Sequence, residues 1–236
     1  MIQRQTLLFA PLLLFAFMLA GCSKDDSSST GPEATAPTVP TITFKGPNTN
    51  STDGNAQMVK SYVSSMNVFT TMFAPYQFLQ STRDGNTWTW NYTQSTLTVK
   101  MTSTAQSDGT YLWKVIFNGQ EPSGSTTYNN WTAMEGSTSG DGKSGSWKIY
   151  DENTTVIAGD FTWSTTNNIL TGTQKEYNNG TSTGQVVVVN NPDNTGEMRV
   201  YTGTVVTYKA TWTAAGSGQW WTYNSSGTQT GTGSWT

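Results

Sequence analysis

Apolar and polar residues alternate along most of the chain from Asn86 onward. Such a period of two is typical of β-strands that bury one face and expose the other. The apolar members of these runs are Trp88, Trp90 and Tyr92; Leu97, Val99 and Met101; Tyr111, Trp113, Val115 and Phe117; Trp147 and Ile149; Phe161 and Trp163; Val187 and Val189; and Tyr208, Ala210 and Trp212. We expect each run to form a strand with these residues on its buried face.

Turn-forming residues separate the alternating runs. They occur at Asp84-Gly85, Asp108-Gly109, Asn118-Gly119, Gly140-Asp141-Gly142, Asn167-Asn168, Asn179-Gly180, Asn190-Asn191-Pro192-Asp193 and Ser226-Gly227. Alternating runs joined by such residues are typical of successive β-hairpins. The pattern therefore predicts about ten to twelve antiparallel strands in up-and-down order.

One segment has the helical period instead. From Ala56 to Phe73, apolar residues recur at spacings of three and four, which predicts an amphipathic helix. Asp53 or Asn55 is expected to cap its start, and Pro75 marks the end of the pattern. Ahead of it, residues 41–45 alternate and predict an isolated first strand. The apolar helix positions are Met58, Val59, Tyr62, Val63, Met66, Phe69, Met72 and Phe73.

A sheet with so many strands and one apolar face must shield that face from water. Either the sheet curls into a closed barrel, or the helix lies across a partly closed one. The sequence thus predicts a mainly all-β domain: an antiparallel up-and-down meander that forms a barrel or half-barrel, with one N-terminal amphipathic helix.

The first 21 residues differ from the rest in composition. Arg4 precedes an uncharged run, residues 7–19, that is short for a membrane span and typical of a signal-peptide core. The next residues, Leu19-Ala20-Gly21-Cys22, resemble the lipobox of bacterial lipoproteins. The resemblance implies cleavage after Gly21 and lipid attachment to Cys22, the single cysteine of the chain. Two or more acyl chains there would give stable membrane attachment.

Three regions are expected along the chain: a signal peptide (1–21), the lipidated Cys22 with a flexible tether (22–40), and one helix-plus-β domain (41–236). The tether is rich in Ser, Thr and Pro and contains almost nothing to bury. Ser23 resembles the outer-membrane sorting signal of enteric lipoproteins. Lys24-Asp25-Asp26 is similar to the acidic segment that directs some Bacteroidota-type lipoproteins to the cell surface. We therefore expect an outer-membrane anchor, on the periplasmic or the surface-exposed side of the cell envelope.

Charge and aromatic content limit the partners. Removal of Arg4 with the signal peptide leaves 11 basic residues (12 − 1) against 15 acidic ones, a formal charge of −4. Nucleic-acid-binding domains carry a basic patch, so we expect no nucleic-acid partner. Ten Trp, ten Tyr and nine Phe indicate a bulky aromatic core.

The sequence contains no histidine, which excludes Ser-His-Asp and Cys-His catalysis and His-ligated metal sites. Paired carboxylates can hydrolyse glycosides, and the candidates are Asp141, Asp151, Glu152, Asp160, Glu176 and Glu197. Candidate Ca²⁺ ligands are Asp141, Asp151, Glu152 and Asp193-Asn194, although the spacing of the EF-hand loop is absent. Each candidate lies near a turn or on a polar strand face, which is typical of solvated carboxylates. We expect no enzyme activity, no cofactor and no metal.

Two binding hypotheses remain beside a purely structural role. In the favoured one, the helix and the curved sheet enclose a cavity for a lipid or another hydrophobic ligand, lined by Trp90, Tyr111 and Trp113. The order of elements is similar to that of the half-barrels of lipoprotein carriers. In the alternative, exposed tryptophans stack on sugars and make the domain a glycan-binding or adhesion module, because an indole ring offers a flat apolar face. The tryptophans concerned are Trp131, Trp220 and Trp221.

Overall fold

One α-helix and thirteen β-strands make up the described part of the chain, residues 35–71, 78–122, 124 and 126–236 of a computed structural model. The expected signal peptide, Cys22 and the tether as far as residue 34 lie outside the described residues, as do Met72, Phe73, Pro75 and the side chain of Phe69. The helix is α1 (Gly54–Thr71), and the strands are β1 (Ser81–Asp84), β2 (Thr87–Gln94), β3 (Leu97–Ala105), β4 (Tyr111–Gln120), β5 (Thr127–Thr138), β6 (Ser144–Tyr150), β7 (Ile157–Thr166), β8 (Ile169–Asn178), β9 (Thr181–Asn190), β10 (Gly196–Thr202), β11 (Val205–Trp212), β12 (Gly218–Tyr223) and β13 (Gln229–Trp235).

All thirteen strands belong to one antiparallel sheet in which every strand pairs with its neighbours in sequence. The predicted up-and-down meander and the mainly β class are therefore confirmed. Within the described residues β1 pairs only with β2, and β13 only with β12. The sheet is thus open, consistent with a half-barrel.

The strand count exceeds the expected ten to twelve because some strands carry no apolar alternation. β1 has the sequence Ser-Thr-Arg-Asp, and β8 turns Gly172 and Gln174 to its buried face. Their partners supply the apolar contacts, so hydropathy along these strands does not mark them.

Two predictions within the sheet are wrong. Asn118-Gly119 is not a turn but part of β4, where the register shifts between Phe117 and Gly119 and forms a bulge. Gly119 has φ +101, which suits a bulge as well as it suits a turn. In β9 the buried residues are Val186 and Val188, not Val187 and Val189. Four consecutive valines offer both faces equally, so only the partner strands decide which pair is buried.

The helix begins where the side chain of Asp53 can cap it. Its Oδ1 accepts hydrogen bonds from the backbone N–H groups of Asn55 (2.7 Å) and Ala56 (3.3 Å). Such a cap satisfies N–H groups that have no partner within the helix. The predicted amphipathic helix is confirmed, and its buried face joins the core of the sheet. The buried members of that face are Ala56, Val59, Val63 and Met66.

Residues 39–49, which we call the crossing segment, run across one end of the sheet. Pro40 packs beside the β5–β6 turn, Phe44 lies against Gly172 of β8, and Asn48 contacts Gly216 of the β11–β12 turn. Val39 is only 2% exposed, so the packed domain begins before the expected boundary at residue 41.

The predicted first strand at residues 41–45 is wrong, because side-chain amides take the place of a partner strand. The amide of Asn67 in α1 accepts from Phe44 N–H (2.8 Å) and donates to Phe44 C=O (2.9 Å). Asn190 of β9 brackets Lys45 in the same way, at 2.8 Å for both bonds. The segment is therefore extended and hydrogen-bonded without belonging to the sheet.

The face of the sheet that α1 covers, which we call the inner face, carries a chain of aromatic rings in contact. Trp90 stacks on Trp113 (centroids 6.0 Å apart), Trp113 meets Trp147 edge-on (6.3 Å), and Trp147 stacks on Trp163 (6.3 Å). Phe161 continues the chain against Trp163 at 5.7 Å. Such pairs add to the free energy of area burial.

Glycines on neighbouring strands make room for these rings. Gly136 stands between Trp113 and Trp147 in the register, and Gly145 stands opposite Trp163. A Cβ atom at Gly136 would lie 2.4 Å from the Trp147 ring. The same relation recurs at Gly196 under Trp212, at Gly218 under Trp235 and at Gly233 under Trp220. Each indole ring thus covers a strand position that has no side chain of its own.

We expect Gly145→Ala to lower the free energy of unfolding by about 1–3 kcal/mol, the usual cost of overpacking a core. The added methyl group would lie 2.3 Å from the Trp163 ring and 2.6 Å from the carbonyl oxygen of Ser137. Urea denaturation measures the change.

Gly159→Ala is the matched control, since a Cβ atom there meets only the carbonyl oxygen of Lys175 at 3.5 Å. Its free energy of unfolding should stay within about 0.5 kcal/mol of the parent value. Equal losses in the two variants would contradict the role assigned to the Trp–Gly contact.

Candidate functional site

A polar groove lies beside β5, at the end of the sheet opposite the crossing segment. Strand β6 pairs with β5 only from Met134 to Thr138, whereas β4 pairs with β5 down to Thr127. Residues 127–133 therefore have no strand partner on one side, and residues 151–156 of the β6–β7 connection stand opposite them. The groove between them has a volume of about 900 Å³. The described residues that line it are Thr127, Asn129, Asn130, Trp131, Thr132, Glu135, Tyr150, Asn153, Thr154, Thr155 and Val156.

The part of β5 that lies beside the groove pairs irregularly with β4. The register shifts twice, between Val115 and Ile116 and between Phe117 and Gly119. Asn130 has φ +49, and its N–H donates to the side chain of Asn118 at 3.2 Å. Bulges bend a strand and redirect its side chains. Here they keep Trp131 opposite Phe117 at the end of the inner face.

Two further aromatic rings pack against Trp131, which lines the groove. Trp131 stacks on Tyr128 with the centroids 5.4 Å apart and the planes 15° from parallel. Phe117 contacts both rings, at 5.7 Å from Trp131 and 5.4 Å from Tyr128. Phe117 and Tyr128 are buried, while Trp131 is half-buried and lines the groove. The half-buried Trp131 ring is therefore supported by two buried rings.

Three side-chain hydrogen bonds fasten the β6–β7 connection to β5. Tyr128 Oη donates to Glu152 Oε1, Asn153 Nδ2 donates to the Thr127 carbonyl, and Trp131 Nε1 donates to the Thr154 carbonyl, each at 3.1 Å. Asn153 has φ +56, a left-handed conformation that asparagine tolerates. These three bonds thus hold the two walls of the groove together.

A carboxylate and a phenol meet at the other side of the groove. Tyr150 Oη donates to Glu135 Oε1 at 2.6 Å. Burial and the hydrogen bond to Glu135 raise the pKa of Tyr150 to about 12. Burial and the bond to Glu152 likewise raise the pKa of Tyr128 to about 12. Both phenols therefore stay protonated and act as donors to carboxylates at neutral pH.

The three tryptophans considered for sugar stacking do not come together. Trp131 lines the groove. Trp220 lies on the inner face against Gly233 and is half-buried in the core. Trp221 is on the opposite, outer face, where the Lys209 ammonium sits 5.4 Å from its ring centroid. Trp131 alone among the three therefore borders this groove.

The residues expected to line a lipid cavity are packed on one another. Trp113, 1% exposed, contacts Trp90 and Tyr111 with ring centroids 6.0 and 6.4 Å apart. Trp113 Nε1 donates to Thr138 Oγ1 at 2.9 Å. Its ring and its polar atom both have protein partners, as expected of core packing.

The six carboxylates considered for glycoside hydrolysis are spread over both ends and both faces of the sheet. Asp141 lies in the β5–β6 turn, whereas Asp151 and Glu152 lie in the β6–β7 connection at the opposite end. Asp160 faces Lys175 across the outer face and accepts from Tyr177 (2.6 Å). Glu176 pairs with Gly159 on the inner side, and Glu197 forms ion pairs with Arg199 and Lys209 on the outer face.

The candidate calcium ligands are likewise separated. Asp193 bonds Thr195 within the β9–β10 turn, and Asn194 accepts from Lys45 Nζ at 2.7 Å. That turn is at the end of the sheet opposite Asp151 and Glu152. Within the described ranges no three residues among His, Cys, Asp and Glu are grouped as metal ligands would be.

Sequence reasoning did not single out Glu135, Tyr150 or Asn153 as site residues. Alternation along β5 and β6 places Glu135 and Tyr150 on the polar outer face, where they resemble ordinary surface residues. Their contact depends on the register between two strands. Asn153 followed by two threonines was a recognisable turn signal, but its bond to Thr127 spans 26 positions.

Comparison with known proteins gives no family assignment. No protein-family model matches the chain, and no curated protein matches it. The described part of the chain has no helix that is long and apolar enough to cross a membrane.

Glu135→Gln should lower the pKa of Tyr150 from about 12 toward its ordinary value near 10. A return to 10 is not expected, because burial is the larger cause of the shift. In the parent protein this raised pKa stabilises the fold fully below pH 10, and the contribution is lost as the pH rises through 12. NMR titration of tyrosine Cζ resonances measures the pKa.

Asp160→Asn supplies the control for this titration. The hydrogen bond to Asp160 is the main cause that raises the pKa of Tyr177 to about 12. This variant should lower the pKa of Tyr177 and leave that of Tyr150 unchanged. A Tyr150 pKa that is the same in Glu135→Gln as in the parent protein would contradict the hydrogen bond between Tyr150 and Glu135.

Proposed function

We propose that the β domain is a glycan-binding module of the cell envelope and that the groove beside β5 holds the sugar. The carrying observation is Trp131, a half-buried indole ring that lines a groove otherwise rich in amide and hydroxyl side chains. A pyranose ring presents C–H groups on its faces and hydroxyls around its edge. An aromatic surface suits the former, and amides, hydroxyls and carboxylates suit the latter.

Preorganisation supports this assignment. The Trp131 ring rests on Tyr128, and its N–H group is already bonded to Thr154. Asn153 and Glu152 are tied to β5 in the same way. Binding would therefore order few side chains, which lowers the entropy cost of binding a flexible oligosaccharide.

A hydrophobic ligand inside the half-barrel is the other hypothesis from the sequence. It would need open space beside Trp90 and Trp113, whereas these two rings contact each other and Trp113 also contacts Trp147. The groove, in contrast, has amide, hydroxyl and carboxylate groups along most of its length. The glycan hypothesis therefore has contacts in its favour that the lipid hypothesis lacks among the described residues.

The proposal includes a lipid anchor on Cys22, which rests on the lipobox resemblance at Leu19-Ala20-Gly21-Cys22. The polar stretch that follows would act as a flexible spacer between the membrane and the domain. A glycan-binding domain held in this way would keep polysaccharide close to the envelope.

Trp131→Ala should raise the dissociation constant for glycans at least about tenfold, equivalent to about 1.4 kcal/mol. The reason is that it removes the stacking surface. Screening the parent protein against an oligosaccharide panel, followed by calorimetric titration of the binders, provides the measurement. Trp131→Phe keeps an aromatic ring and should retain part of the affinity.

Trp221→Ala is the matched control, because it removes an indole ring from the outer face, away from the groove. It should leave glycan affinity unchanged. Glycan binding that survives Trp131→Ala in a folded protein would exclude the groove as the site. A lipid released from the native protein by organic extraction, with no glycan bound, would instead favour the interior site.

Cys22→Ala should release the protein from the membrane fraction. The parent protein should sediment with membranes, resist a high-salt wash and incorporate labelled fatty acid, since acyl chains bind through the hydrophobic effect. The variant should do none of these. Fatty-acid labelling that persists in the variant would contradict Cys22 as the attachment site.

A further inference from the structure

The charge in the described lining of the groove is negative only. Among the described residues that line it, Glu135 is a carboxylate and none is Lys or Arg. Two more acidic residues, Asp151 and Glu152, lie in the connection that forms the far wall, and Glu152 accepts a hydrogen bond from Tyr128, the ring that stacks on Trp131.

The nearest lysines by strand register are the two cross-strand neighbours of Glu135. Lys114 and Lys148 flank Glu135 on β4 and β6, both exposed on the outer face. Neither belongs to the described lining of the groove. A ligand that rests on Trp131 therefore meets a carboxylate and uncharged groups first.

Glu135 is suited to accept hydrogen bonds from a ligand. Its Oε1 takes one bond from Tyr150, and a carboxylate has lone pairs for several more. Hydrogen bonds from hydroxyls to an ionised acceptor are shorter and stronger than neutral ones. A carboxylate, sulfate or phosphate on the sugar would have to approach Glu135 as a like charge, without a cation in the described lining to pair with.

We propose that the groove selects uncharged glycans over acidic ones and that Glu135 is the residue that determines this selectivity. The inference rests on the proposed glycan-binding function and adds the substrate class. Neutral hexose, pentose and N-acetylhexosamine chains fit the groove. Chains built from uronic acids or carrying sulfate are disfavoured.

The test compares neutral and acidic oligosaccharides on the full chain. The neutral probes are cello-, manno-, xylo- and chito-oligosaccharides, and the acidic probes are oligogalacturonate, alginate oligomers and a sulfated oligosaccharide. Calorimetric titration at low salt should give dissociation constants at least about tenfold lower for the best neutral probe than for any acidic one. Raising the salt should narrow the difference, because the Debye length falls from about 30 Å at 0.01 M to about 8 Å at 0.15 M.

Glu135→Gln removes the charge and keeps the shape of the side chain. It should lower the affinity for the best neutral probe several-fold, because a charge-assisted hydrogen-bond acceptor is lost. The difference in affinity between the acidic probes and this neutral probe should become smaller. Glu197→Gln is the control, because it makes the same change in net charge on β10, outside the described lining of the groove. Its ratio of acidic to neutral affinity should equal that of the parent protein.

The outcomes separate this inference from the proposed function. If acidic probes bind as tightly as neutral ones and Trp131→Ala abolishes that binding, the proposed selectivity is wrong but the glycan-binding site is supported. If the ratio of acidic to neutral affinity is the same in Glu135→Gln as in the parent protein, Glu135 does not determine the selectivity. If no probe of the panel binds, or if Trp131→Ala leaves the dissociation constants unchanged, the proposed function itself is wrong.

Discussion

The packing of tryptophan rings over cross-strand glycines is the contact on which the rest of the structure depends. A sheet of thirteen strands can be covered by one 18-residue helix only if its own side chains fill much of the remaining space. Indole rings do this when the neighbouring strand position is empty, as at Gly136 between Trp113 and Trp147. Several rings also aim their N–H groups at turn carbonyls, as Trp163 does at Gly142 (3.2 Å) and Trp235 at Gly216 (2.8 Å). The same side chains therefore fill the core and tie the turns to it.

Two asparagine side chains complete the cover without extending the sheet. Asn67 and Asn190 bracket successive residues of the crossing segment, each with one accepted and one donated backbone bond. Phe44 is thereby held against Gly172 and edge-on to Phe161, with centroids 5.9 Å apart. This end of the sheet is occupied by the chain itself. The groove lies at the other end, where β5 extends beyond β6. There the irregular pairing of β5 with β4 leaves polar groups and one indole ring accessible.

The groove combines features that cost free energy with features that fix its geometry. Residues Asn130 and Asn153 adopt left-handed backbone conformations, and over about half its length β5 has a strand partner only on the β4 side. Glutamate, tyrosine and asparagine side chains supply the missing contacts. Local irregularity of this kind often accompanies functional sites, since a regular strand would present only its alternating faces. The charge of the groove follows from its lining, because Glu135 and Tyr150 line it together with Trp131, whereas Lys114 and Lys148 are not among the described lining residues.

Local sequence by itself determined the β class, the meander, most buried faces and the helix, because hydropathy period and turn residues act over a few positions. It also marked Trp131 as a candidate for sugar stacking. Only the tertiary structure decided which pair of β9 valines is buried, whether Asn118-Gly119 turns or bulges, and how residues 41–45 bond, because each depends on a partner far away in sequence. The groove belongs to this second group. Glu135 and Tyr150 are ordinary surface residues in their own strands, and they line the same groove as Trp131 only through strand register and the length by which β5 exceeds β6.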